Sequence, residues 1–182
     1  MRKAPFALGS TGLLAVFATA GACTTYGDEV IPPPFSTGLP EEEPLSSLEP
    51  EQVRQLCDAA EDFTVKQHEK PLVRHGFCFM EAVPSLAALQ ASGVDEESLR
   101  AECLNMVLEC LESGVEVPPT ECPERMECEV TVAELERCID DTYRKIRDLP
   151  HCDDITIDDE FWEMARVPDS CDRILEECPD EL

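Results

Sequence analysis

The sequence predicts an all-α domain, a small disulfide-bridged bundle of four to six helices behind a disordered N-terminal tether. Three observations predict it. Beyond about residue 47, apolar residues recur at three- and four-residue steps, the spacing of one helix face. No run of β-branched residues alternates with polar ones for long enough to make a strand. Eleven cysteines in 182 residues point to bridges formed in an oxidising compartment. The length suits one domain, or one domain plus a tail.

The chain begins with the layout of a bacterial secretory signal peptide over residues 1–22. Arg2 and Lys3 open it, Leu13–Ala18 is its apolar core, and the small residues Thr19–Ala22 follow. No acid precedes Asp28. Ala20-Gly21-Ala22-Cys23 resembles a lipobox, with Ala20 where that pattern usually has Leu. The resemblance implies a diacylglycerol on the Cys23 sulfur and a new N-terminus there. Two other readings stay open. Ala18-Thr19-Ala20 and Ala20-Gly21-Ala22 each fit an ordinary A-x-A cleavage site, which would release the protein. Ala4–Ala22 could also remain as an uncleaved anchor, though Gly9-Ser10-Thr11-Gly12 interrupts it. Parity favours lipid, because removing Cys23 leaves ten cysteines for five bridges.

Residues 23–46 read as an extended linker. Pro32, Pro33, Pro34, Pro40 and Pro44 favour polyproline II, and Glu41-Glu42-Glu43 repel one another. The folded domain is expected over 47–182. Its first helix starts at Pro50, where a missing N–H costs nothing, and runs to about Lys66 with Val53, Leu56, Cys57, Ala60 and Phe63 inward. A second spans Leu72–Leu89 with Phe77, Cys78, Met80 and Val83 inward, and Pro84 should kink or restart it. Gly93 and Asp95 mark a turn and an N-cap.

The third helix, about Glu96–Glu112, carries two apolar faces. Leu99, Cys103, Met106, Val107 and Cys110 make one; Leu104, Leu108 and Leu111 make the other. Two such faces predict a central helix. Ser113–Glu129, with three prolines, reads as a loop. Thr131-Val132-Ala133-Glu134 is a capping box opening the fourth helix, with Leu135, Cys138, Ile139 and Ile146 inward. Asp140–Arg144 and Asp141–Lys145 are expected as i,i+4 pairs. A short amphipathic piece around Phe161, Trp162 and Met164 should plug the core, and a last helical turn or two runs from Ser170 to about Glu177.

The chain contains no C-x-x-C pair, so the common zinc and thiol-exchange spacings are absent. The candidate bridge residues are Cys57, Cys78, Cys103, Cys110, Cys122, Cys128, Cys138, Cys152, Cys171 and Cys178. Cys103 and Cys110 share a helix face about 10 Å apart, too far to bond, so each must reach a different element. Cys171 and Cys178 have the same spacing and, if helical, the same restriction. The expected map ties Cys57 or Cys103 to Cys78, and ties Cys122 and Cys128 to nearby helices.

Leu56-Cys57-Asp58-Ala59-Ala60, the run Cys128–Cys138 and Leu149-Pro150-His151-Cys152 resemble segments of small, cysteine-rich bacterial lipoproteins that occur as many paralogues. The resemblance covers most of the chain after residue 47. It implies no activity and no catalytic residue.

The chain has 40 Asp+Glu against 14 Lys+Arg, a formal net charge of -26. That balance argues against a nucleic-acid partner and against a basic membrane-binding patch. Losing residues 1–22 removes Arg2 and Lys3 and no acid, so the exported part reaches -28. His68, His75 and His151 sit in no metal or nucleophile motif and read as surface or turn residues. Asp153, Asp154, Asp158, Asp159 and Glu160 could offer a loose cation site, but lack the EF-hand pattern. No hydrolase, zinc-protease or nucleotide signature occurs. The expectation is a non-catalytic protein without a cofactor, anchored by lipid to the bacterial outer membrane or surface, or secreted, with a structural or protein-binding role. The alternatives are a secreted hydrolase using paired carboxylates, a weak cation-binding module and a thiol-sensing module.

Overall fold

The computed structural model describes residues 33–114, 122–155, 163 and 165–178. The signal peptide, Cys23, the piece around Phe161, Trp162 and Met164, and Asp158, Asp159 and Glu160 lie outside them. The domain is all-helical, with no strand among the described residues. Its helices are α1 (Pro50–His68), α2 (Pro71–Ala91), α3 (Glu96–Ser113), α4 (Val132–Arg147) and α5 (Asp172–Glu177). Short 3-10 turns occupy Leu45–Ser47, Cys152–Asp154 and Asp169–Cys171. Among the described residues, no helix is long and apolar enough to cross a membrane.

Local chemistry sets the helix ends. Pro50 and Pro71 stand at the first turns of α1 and α2, where proline sacrifices no hydrogen bond. Asp95 Oδ1 accepts from the Ser98 N–H at 3.0 Å and caps α3. At α4 the capping box closes both ways. The Thr131 N–H donates to Glu134 Oε2 at 2.8 Å, and the Glu134 N–H donates to Thr131 Oγ1 at 3.3 Å. Gly93, at φ +84°, turns the chain out of α2 in a conformation that other residues adopt at a cost. α2 continues through Pro84 as one helix, without the expected restart.

The folded unit begins at Pro33, well before the expected boundary at residue 47. Phe35 and Thr37 are buried. The Phe35 N–H donates to Asp140 Oδ1 at 2.8 Å, and the Thr37 N–H and hydroxyl both donate to Glu136 Oε1. Farther along, Leu45 N–H bonds Val130 O, while Val132 and Ala133 N–H bond the carbonyls of Glu43 and Glu41. These last two are first-turn donors of α4, which have no partner inside the helix. The strap 33–46 therefore caps α4. Its prolines and acids look like linker composition, but its backbone is used as a hydrogen-bonding edge.

Two hydrophobic clusters fill the interior. One gathers Leu45, Leu48, Val53, Leu56, Val130, Val132, Leu135 and Ile174. The other gathers Phe79, Ala82, Leu86, Leu99, Val107, Leu149 and Ile155. The central helix is α2, which packs on α1, α3 and α4. This corrects the expectation for α3, whose second face is open at Leu104 and Leu108, 41% and 48% exposed, with only Leu111 packed against the core. On α2 the most buried side chains include Val73, Phe79, Ala82 and Leu86, while Phe77, Met80 and Val83 are only half-buried. A helix packed from several sides has no single inward stripe. At the crossing with α4, Gly76 lies against the backbone of Ile146, and a Cβ there would overlap the Ile146 carbonyl.

Candidate functional site

The ten predicted cysteines form five bridges: Cys57–Cys122, Cys78–Cys110, Cys103–Cys152, Cys128–Cys178 and Cys138–Cys171. Their Cα–Cα distances run from 4.8 to 5.9 Å, the span a disulfide needs. Cys103 and Cys110 reach different elements, as do Cys171 and Cys178, and Cys122 is tied to a helix by its bond to α1. The expected bond from Cys57 or Cys103 to Cys78 is corrected. The connection Ser92–Asp95 is short, so α3 folds back along α2. Cys78 and Cys110 stand at nearly equal distances from that turn, which brings them together. Equal spacing about a helical hairpin was a signal present in the sequence.

His151 is exposed and His68 ends α1 at the turn before α2, as expected, but His75 is not a surface or turn residue. His75 lies within α2 and is buried. Its Nε2 is 3.2 Å from Nδ1 of His151, so one ring donates a hydrogen bond to the other. Burial and the neighbouring His151 hold the His75 pKa below its ordinary value. His68 closes α1, stacks on Phe77 at 4.3 Å between ring centroids, and has its pKa lowered by burial. Its Nδ1 is buried without a hydrogen-bond partner. Phe35, Phe63 and Tyr143 continue this aromatic group, and the Tyr143 hydroxyl bonds Thr64 Oγ1 at 3.1 Å. Burial raises the Tyr143 pKa.

Several carboxylates act as structural acceptors. Glu136 and Asp140 hold the strap. Glu134 and Glu177 both pair with Arg173, at 2.7 and 2.9 Å. Hydrogen bonds from Thr131 and Arg173 pull Glu134 below the usual carboxylate range, so it stays ionised at neutral pH and stores no proton for acid catalysis. The expected partner of Arg144 is corrected from Asp140 to Asp141, because Asp140 turns to the strap. Lys145 instead donates to the Glu163 carbonyl at 2.9 Å. Asp153 and Asp154 sit in the 3-10 turn after His151. Among the described residues, no three His, Cys, Asp or Glu side chains are grouped to hold a metal ion.

One half-open cavity of about 170 Å³ lies between α2, α4 and residues 165–168. Phe77, Met80, Ile146, Leu149 and Val167 make its wall almost wholly apolar, and Lys145 and Arg166 also line it. The sequence reading placed Phe77, Met80 and Ile146 on inward faces, but carried no sign that a space would remain between them. No family model matches the chain, and no curated protein or solved structure matches it either.

Proposed function

We propose that the protein is a non-catalytic component of a bacterial cell envelope, exported and tethered by lipid on Cys23, with a structural or protein-binding role. It is of the kind suggested by the resemblance to cysteine-rich lipoproteins. Cysteine parity carries the reading. The five bridges consume the ten cysteines from Cys57 to Cys178, and Cys23 is the eleventh. Bridges of this density belong to oxidising compartments, and a thiol placed directly after a run of small residues suits lipidation. The charge of the exported part would keep the domain soluble and apart from anionic surfaces. Thiol sensing is disfavoured because the described cysteines are all in bonds.

Intact mass after expression in a bacterium with a lipoprotein pathway tests this. The expected product starts at Cys23, carries the lipid mass and lacks ten hydrogens. Globomycin should make the precursor accumulate. A product cleaved elsewhere and free of lipid, with processing indifferent to globomycin, would sink the anchor.

A further inference from the structure

We propose that His75 and His151 together bind a borderline divalent metal ion of the zinc type, through Nε2 of His75 and Nδ1 of His151, with water completing its shell. The site belongs to the folded domain and stands apart from the lipid anchor. The two nitrogens lie 3.2 Å apart. Two imidazole nitrogens on one tetrahedral zinc, each about 2.0–2.1 Å from it, stand about 3.3 Å from each other. The pair therefore already has the spacing of two zinc ligands. The hydrogen bond between them is a bent one. In a straight bond the rings lie end to end, which adds a ring radius to the gap on each side. Here the centroids are only 4.3 Å apart, with the ring planes at 51°. A bent hydrogen bond is a weak rival to a metal ion.

Each ring is held by its own element. His75 is buried within α2. His151 precedes Cys152, whose bridge to Cys103 ties it to α3, and its carbonyl accepts from the Asp154 N–H at 2.9 Å. Ligands fixed in advance lose little entropy on binding. His151 is exposed, which gives the ion a way in and water a place beside it. Burial keeps His75 neutral at neutral pH, the state in which an imidazole ligates. On binding, the proton of the donating ring moves to that ring's second nitrogen, so both facing nitrogens offer lone pairs. The donor set selects the ion. Imidazole suits zinc, copper and nickel, whereas calcium and magnesium take oxygen ligands. Ions that depend on thiolate find none at the neighbouring Cys152, which is bridged. Neighbouring positions of a square-planar copper would set the nitrogens only about 2.9 Å apart at the same bond lengths, so the spacing favours tetrahedral zinc.

Zinc titrated into the oxidised chain, prepared without a histidine tag and in excess calcium and magnesium, tests the site. The excess occupies carboxylates elsewhere on the surface. Calorimetry should give one saturable zinc site per chain. Imidazole 15N NMR should identify His75 Nε2 and His151 Nδ1 as the metal-bound nitrogens. His151→Gln, at an exposed position that leaves the core intact, should weaken zinc about a hundredfold, since losing even a group behind a ligand costs about tenfold or more. His75→Gln should do the same, and His68→Gln should leave the affinity unchanged. The proposal is overturned by an absence of zinc binding under these conditions, by an unchanged affinity in His151→Gln, or by imidazole signals that zinc does not move.

Discussion

The cluster around Phe79 and Leu86 is built mainly from two long helices lying side by side, with the segment 149–155 closing one end. The cluster around Val53 and Val130 is gathered from the 3-10 turn at Leu45, α1, the chain before α4, the start of α4 and the six-residue α5. The first region has continuous helical faces that pack along their length. The second joins α1 and α4 to short pieces that are not stable alone, the turn at Leu45 and α5, and it holds three of the five bridges: Cys57–Cys122, Cys128–Cys178 and Cys138–Cys171. Covalent links are concentrated where non-covalent contacts are spread over the most segments. A short element has few contacts of its own to offset the entropy gained when it comes loose, so its attachment depends on the tie.

The α2–α4 crossing joins the two regions, and breaking it should have the largest effect. Gly76→Ala puts a methyl into the Ile146 carbonyl and should cost more than about 4 kcal/mol, the range of severe overpacking against rigid backbone. Gly93→Ala is the control. It has a positive φ but open space around it, and should cost only about 1 kcal/mol. Urea unfolding measures both, and similar small losses would show that the helices can separate freely at Gly76.

Removing one bridge from each region comes next. The loops closed by Cys128–Cys178 and Cys78–Cys110 span 50 and 32 residues, so chain entropy alone separates them by only about 0.4 kcal/mol. Cys128→Ala with Cys178→Ala should nevertheless lose about 4 kcal/mol, and Cys78→Ala with Cys110→Ala about 2 kcal/mol. In the second variant α2 and α3 still pack along their length. In the first, α5 keeps only its tie at Cys171 and its end loosens, which hydrogen exchange would report as reduced protection towards residue 178. Equal losses, with exchange unchanged at α5, would remove the contrast drawn here.

The smallest effect is a pH slope. Burial lowers the pKa of His75 from its ordinary 6.5, so the unfolded chain binds the proton more readily than the folded one. Stability is then fully present above pH 6.5 and falls as the pH drops through the lowered value. His68 has the same sign. His75→Gln should flatten the slope of the unfolding free energy between neutral pH and about pH 5, and His68→Gln should do so independently. Asp95 and Glu134, whose pKa values are lowered, add their own loss at more acidic pH. A slope that survives both glutamine variants would assign it to other groups.

Much of the fold was legible in residue order because its causes are local. The limits of α1, α3 and α4 follow from Pro50, Asp95 and the Thr131–Glu134 box, each acting within one turn of its helix. That the cysteines bond was expected from their number. The burial of Val53, Leu56, Leu99, Cys103 and Leu135 follows from spacing along a single helix.

Other features depend on what meets what. Composition described the strap 33–46 correctly as proline-rich and acidic, but only the unpaired N–H groups at the start of α4 give its carbonyls something to bind. The amphipathic pattern of α3 was genuine, yet which helix becomes central depends on how many neighbours each one finds. The partner of each cysteine, the contact of His75 with His151, and the space left between Phe77 and Ile146 are set by distances between elements far apart in the chain. Periodicity and capping act over a few residues and can be read from them. Pairing and cavities arise only when distant segments meet, so the tertiary structure alone decided them.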